Sequence, residues 1–252
     1  MFKIITAATA ALIGLLANAQ VSEKRNVQAF NKLEVTDGVE IIYVQSPEYG
    51  ILAETSDALG LSTLLTESKD NTLKISCNGN LCEMAKVYVS APEIVSFKGS
   101  QNAQIRVTGT GLRTNSFALS LASGASFKGN VAAKTSTLRA KSGAVVNLRL
   151  ETGSLEAIVQ SNAKVNLCGT TKHSDIRSFG NALCLARNFK SDKSLVKASG
   201  RASVEVCTLD EIDVEVTDAA HVRYFGFPYK TTVNPEAITQ VVHETEGAIA
   251  AQ

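Results

Sequence analysis

The chain has 252 residues, a formal net charge of +1 and no tryptophan. That length holds one large or two modest domains, and a charge so near zero gives no electrostatic pull toward nucleic acid. Aromatic residues are scarce at 6%, while Gly, Ala, Ser, Thr and Val are plentiful, a composition suited to many short strands and tight turns.

At the start, Met1-Phe2-Lys3 is a short basic stretch, and Ile4 to Leu16 is an apolar run too short to span a bilayer comfortably. Ala17-Asn18-Ala19 supplies an A-x-A cleavage site, so residues 1–19 read as a signal peptide with the mature chain starting near Gln20. No Cys follows the site to take a lipid anchor, and no later stretch has the length and hydropathy of a membrane helix. The mature protein is expected to be exported and soluble, in the periplasm or at the cell surface, with no membrane span.

Residues 20–95 read as an N-terminal β-strand segment packed on the region from residue 96 onward. Strands are expected at 32–45, 50–56, 71–77 and 85–92, with a turn at Asp37-Gly38 and a short helix from Leu59 to Leu65. Two roles stay open for this segment: a cap on one end of that later region, or widened first coils of it. An exported chain permits disulfides. Cys77 and Cys82 bracket a turn-rich loop between TLKIS and KVYVS, and a bridge between them is expected to close a hairpin. Cys168, Cys184 and Cys207 cannot all pair with one another, so at least one is expected to be a buried thiol, and the C-x2-C spacing of a zinc site is absent.

From residue 96 a turn recurs. It ends in an alanine at 103, 125, 144, 163, 182, 202 and 220, a period near 19. The residue before that alanine is Gly or Asn in five copies, among them Gly124, Gly143, Asn162 and Asn181, which points to a left-handed backbone position. Two residues after each alanine come Ile105, Phe127, Val146, Val165, Cys184, Val204 and Val222. Six before it come Phe97, Leu119, Leu138, Ala157, Ile176, Val196 and Val214. The columns between are mostly polar. Period-two alternation within a repeat of this length predicts strand pairs joined at a turn and stacked about 4.8 Å apart. The fold class is therefore all-β, a parallel β-helix of about seven short coils over 96–242. Phe225, Phe227 and Tyr229 around Pro228 are expected to cover its last coil, and 243–252 to be a frayed tail.

With these features in place the chain resembles the head GIN domain family of bacterial auto-transporter adhesins. FNKLEVTDGVEIIYVQ (30–45), TLKISC and KVYVSAPEIVSFKGSQNA (72–103), the repeated SGA and SNA turns, and YFGFPYKTTV (224–233) carry the resemblance. It implies a right-handed β-helix with a role in cell adhesion and no catalytic set. No membrane barrel accompanies the repeats, so the chain is not expected to be a complete autotransporter.

β-Helices also include carbohydrate-active enzymes, which need clustered carboxylates. Glu211, Asp213 and Glu215 alternate on one strand face, the densest acidic group here. No second group faces them, and they read as a solvated face, with a weak calcium site as the sharper alternative. His173, His221 and His243 occupy different repeat positions, so no Ser-His-Asp arrangement is expected. Five residues before the alanines runs a stripe with Lys98, Arg139, Arg177 and Lys197, a candidate ligand surface for an acidic glycan or envelope polymer. Ordinary strand-surface cations that discourage edge aggregation are the favoured account of the stripe. The sequence thus supports a non-catalytic exported adhesion or envelope-binding protein, without cofactor, metal or nucleic acid. The alternatives are an enzyme on the same scaffold and a self-associating structural module that forms homo-oligomers.

Overall fold

The computed structural model describes residues 21–78, 85–237 and 240–244. Residues 1–19, read above as a signal peptide, and Cys82 lie outside the described residues. Strand accounts for 67% of the described residues, in stacked parallel coils that form a β-solenoid of about eight turns.

In chain order, β1 (Val21–Lys24), β2 (Lys32–Val35), β3 (Glu40–Gln45) and β4 (Gly50–Thr55) precede helix α1 (Ala58–Thr63). Next come β5 (Leu64–Lys69), β6 (Thr72–Cys77), β7 (Lys86–Ala91), β8 (Ser96–Gly99) and β9 (Gln104–Val107). β10 (Leu112–Leu121), β11 (Ser126–Ala140), β12 (Val145–Gln160), β13 (Lys164–Phe179), β14 (Leu183–Ala198) and β15 (Ser203–Val216) are long because each wraps most of a coil. β16 (His221–Phe225), β17 (Lys230–Val233) and β18 (Val241–His243) end the stack.

Each coil has a tight turn at one corner and a second corner where the ladder skips a residue. In β12 the paired runs are Val145–Thr152 and Ser154–Gln160. The run after the turn builds a front face, and the run before the next turn builds a back face. The apolar columns close the interior: Val146 sits between Phe127 and Val165, and Ala157 between Leu138 and Ile176, all buried. Gly99 and Gly129 occupy core columns because no room is left for a side chain. A Cβ on Gly129 would lie 2.7 Å from Val107 Cβ, and one on Gly99 2.9 Å from Leu121 Cδ2. Around them Tyr43, Phe97, Phe117 and Phe127 gather, with ring centroids 5.6–6.3 Å apart. At the second corner a hydroxyl replaces an apolar group. Thr152, Thr171 and Ser191 each donate to the carbonyl two residues on, at 3.0, 3.0 and 2.7 Å. Ser174 and Thr208 join them through Ser194. These bonds satisfy polar atoms inside the bend.

Every turn alanine is fully buried, at 0–1% exposure. Its N–H closes the turn, as from Ala144 to the Lys141 carbonyl at 3.2 Å. The left-handed position departs from the alanine-based reading in part. Four turns carry two residues at positive φ: Gln101-Asn102, Ser123-Gly124, Ser142-Gly143 and Ser161-Asn162. Asn181, Arg201 and Ala219 do not share it; there only the preceding Gly180, Gly200 and Asp218 are left-handed. The first pattern is that of a type I′ turn and the second that of type II′, which differ by a flip of the central peptide. The flip reverses the bonds between stacked turns. Gly124 and Gly143 donate forward to Ser142 and Ser161, whereas Arg201 and Ala219 donate back to Gly180 and Gly200.

The turn expected at Asp37-Gly38 is a further copy of the repeating turn. Asp37 and Gly38 have φ of 62° and 73°, Val39 N donates to Thr36 O at 3.4 Å, and Val39 takes the buried alanine place. Residues 20–95 divide between two roles. β2 and β3 form one coil and β6 and β7 another, while β1, β4 and β5 add antiparallel strands over the outermost coil. The expected hairpin of β6 with β7 does not form. β6 pairs with β2 and β5, and β7 with β3 and β4. The coil of β2 and β3 lies between that of β6 and β7 and that of β8 and β9. The short helix is shifted from its expected place. Asp57 caps it by accepting from Gly60 N at 2.7 Å, and Leu64 already belongs to β5.

Candidate functional site

The back-face stripe has the register read from the sequence. Lys98, Ser120, Arg139, Ile158, Arg177, Lys197 and Glu215 stack in one column. Each of its four cations meets a carboxylate. Lys98 pairs with Glu34 at 3.0 Å, Arg139 with Glu156 at 3.7 Å, Arg177 with Asp175 at 2.7 Å and Lys197 with Glu215 at 2.5 Å. Exposed pairs of this kind contribute at most about 1 kcal/mol each. Their effect is to cancel the stripe's charge.

The acidic group is likewise engaged. Glu211 accepts from both Lys230 and Lys193, and these hydrogen bonds, that of Lys230 first, hold its carboxyl below the usual carboxylate range. Glu215 takes Lys197. Asp213 has Leu195 on one side in the stack and Thr232 on the other, with Asp175 beyond Leu195. A back-face depression of about 660 Å³ collects Glu156, His173, Asp175, Lys193 and Asp213. Glu156 and Asp175 are neighbours in one column, and each has an arginine on it. His173 lies at the second corner and His221 opens β16, while His243 stacks on the Tyr224 ring at 4.6 Å between centroids. The three are not brought together. Among the described residues no three His, Cys, Asp or Glu side chains converge as metal ligands. Cys184 is fully buried in a core column between Val165 and Val204, and burial pushes its thiol up to about 12.

The front face holds a feature the sequence reading passed over. A groove of about 640 Å³ runs across the coils, lined by Lys128, Asn130, Asn147, Arg149, Asn166, Arg187 and Asn188 among others. Arg106, Lys128, Asn147, Asn166, Leu185 and Glu205 form its outer column. Asn166 donates its side-chain amide to the Asn147 side chain at 2.7 Å. The far end is shaped by irregular register. β13 steps from Asn166 to Cys168 while β14 steps from Leu185 to Asn188, so β14 bulges. β15 then cuts the bend short, pairing Val206 with Ala186 and Cys207 with Lys190. Arg187 is thrown outward over this shortcut, with its guanidinium carbon 4.5 Å from the Phe225 ring centroid. The columns were legible as polar. The bulge that brings Arg187 alongside them shows in the sequence only as an interval of 20 residues that follows three of 19 and precedes one of 18.

Among the described residues no helix is long and apolar enough to cross a membrane. No curated protein matches the chain. Solved structures do. That of a "putative adhesin" from Parabacteroides distasonis ATCC 8503 aligns at TM-score 0.80 and 19% identity, covering 91% of this chain and 96% of that one. A "putative adhesin" from Parabacteroides merdae ATCC 43184 aligns at TM-score 0.76 and 18% identity, over 90% and 94%. A "putative lipid binding protein" from Parabacteroides distasonis ATCC 8503 aligns at 0.74 and 13%, over 90% and 95%. Two different names on one architecture, at such identities, speak for the shared fold alone. The sequence model of the family described as "Putative auto-transporter adhesin, head GIN domain" matches residues 29–228, and the chain belongs to that family.

Proposed function

We propose that this chain is an exported, non-catalytic adhesion module that holds a glycan or other envelope polymer against the outside of its coils. The observation that carries the reading is the pairing of a rigid stacked core with outward polar columns that repeat coil after coil, such as Lys128, Asn147 and Asn166. A polymer with its own repeat meets an outward side chain at every rung of about 4.8 Å. The back-face carboxylates are tied to cations instead of being set as acid and base, which supports binding over turnover. The family's adhesin description and the A-x-A site at Ala17 to Ala19 support an exported protein.

The test is a glycan array probed with the mature chain from Gln20, followed by mass spectrometry of each retained glycan. Retention of intact glycan is expected. Appearance of shortened products would replace this reading with a carbohydrate-active enzyme.

A further inference from the structure

The unbalanced positive charge of the outer surface is not where the stripe lies. At the edges of the front-face groove, Arg106 is paired with Glu40 and Arg223 with Glu205. Lys128, Arg149 and Arg187 form no ion pair among the described residues, and all three line the groove. Arg149 and Lys128 are exposed, and Arg187 is half-buried with its flat face on Phe225. A guanidinium held by a ring is fixed in place while its N–H edges keep their full capacity for an anion. On a chain of net charge +1, attraction of a polyanion has to come from such a local excess.

The rest of the groove is amide. Asn130, Asn147, Asn166 and Asn188 line it with the cations, and each amide offers both donors and an acceptor. The Asn166–Asn147 bond uses one donor and one acceptor and leaves the other halves of both groups outward. Hydroxyl-rich ligands need that mixed donor and acceptor set. Nucleic acid is read through single-strand stacking on aromatic rings or through a strong basic field. Phe225, the ring against which Arg187 rests, is covered by it and only 6% exposed.

We propose that the front-face groove is a binding site for an anionic polysaccharide, carboxylated or sulfated. Lys128, Arg149 and Arg187 take the acid groups, and Asn147, Asn166 and Asn188 take the hydroxyls. This rests on the adhesion reading and names its ligand class and its face. Lys128 lies on β11, Arg149 on β12 and Arg187 on β14, three rungs or about 14 Å from first to last, so the acid groups engaged are spread along an extended chain rather than clustered on one sugar.

The experiment compares the mature wild-type chain with the triple variant K128S/R149S/R187S and the stripe variant K98S/R139S/R177S/K197S. Affinity electrophoresis in polygalacturonate, in dextran sulfate and in neutral dextran reads the binding. Far-UV circular dichroism and urea midpoints check that both variants fold. Wild type is expected to be retarded by at least one polyanion and not by neutral dextran, less so as salt rises. The two polyanions separate the carboxylated from the sulfated source. The triple variant is expected to lose about ten-fold or more in affinity, the scale of losing charge-assisted contacts, and the stripe variant to bind like wild type. Equal retardation of triple variant and wild type overturns the proposal. So does loss of binding in the stripe variant alone, or competition by a short DNA duplex as effective as that by the polysaccharide. Array retention of neutral glycans with no polyanion binding removes this site and leaves the adhesion reading standing. An array that retains nothing removes both.

Discussion

Gly143 and Gly169 share a letter and a positive φ, +75° and +120°, and answer to different constraints. Gly143 is the second central residue of a type I′ turn, and a Cβ there would meet nothing within 4 Å. Gly169 lies in β13, where a Cβ would fall 2.1 Å from the Leu150 carbonyl oxygen one coil away. The first position asks only for backbone freedom, which an alanine supplies at a cost of about 1 kcal/mol. The second forbids a side chain outright, and its neighbour is main chain that cannot rotate aside. Gly143→Ala is therefore expected to lower the unfolding free energy by about 1 kcal/mol, and Gly169→Ala by about 3 kcal/mol or more. Urea midpoints of the two variants check this, and equal losses would contradict it. Only Gly143 was legible in the sequence, because its role is local and repeats. Nothing around Cys168-Gly169-Thr170 signals a carbonyl that arrives from the previous coil.

The C-terminal coil shows what holds an element that has a neighbour on one side only. β17 pairs with β15 and has no further strand beyond it among the described residues. At its start Lys230 reaches Glu211. At its end the Asn234 side chain imitates a ladder partner, accepting from Val216 N and donating to Val216 O, both at 2.9 Å. Asn234→Ala removes both bonds and leaves Val216 to water or to no partner, a loss of about 1–2 kcal/mol. That loss belongs to local opening and not to the whole stack. Amide exchange at residues 230–233 is expected to speed up about ten-fold while the global urea midpoint moves little; a large midpoint shift would mean that the coil is part of the cooperative core. The turns of the stack show how far such element-level detail could be read beforehand. In the S-G-A copies glycine stands second of the two central residues, at 124 and 143. In G-N-A and G-R-A it stands first, at 180 and 200, the place a type II′ turn requires. Aligning on the alanine displayed the shift but hid its meaning, since it set Asn181 and Arg201 in the column of Gly143. The reversed bonds between turns 199–202 and 217–220 follow from that one-residue move.

At the scale of the molecule, alternation reveals which face of a strand is buried but not which strand lies beside it. From β8 onward chain order and stacking order coincide, and the period of about 19 fixes both. Before β8 they part. β2 and β3 run first in the chain yet lie second in the stack, between β6 with β7 on one side and β8 with β9 on the other. The only local sign was the Thr36 to Val39 turn, with valine where the other copies have alanine. This order makes the two ends of the chain unequal. In a stack where coils touch only their neighbours, losing a terminal coil costs one interface, and losing an inner coil costs two and separates what remains. Removing residues 217–252 takes away β16, β17 and β18 and leaves β15 as the last coil. Removing residues 21–70 deletes the inner coil of β2 and β3 together with β4 and β5. β6 and β7 then have no parallel partner, and Tyr43 is stripped from its edge contact with Phe97, 5.6 Å between centroids. The first truncation is expected to keep a cooperative urea transition with a smaller denaturant slope, in proportion to the surface it no longer buries. The second is expected to lose the cooperative transition. If the second folded as well as the first, residues 71–91 would have to dock directly on β8 and β9, and the inserted coil would be an addition to the solenoid rather than the piece that joins its capped end to its repeats.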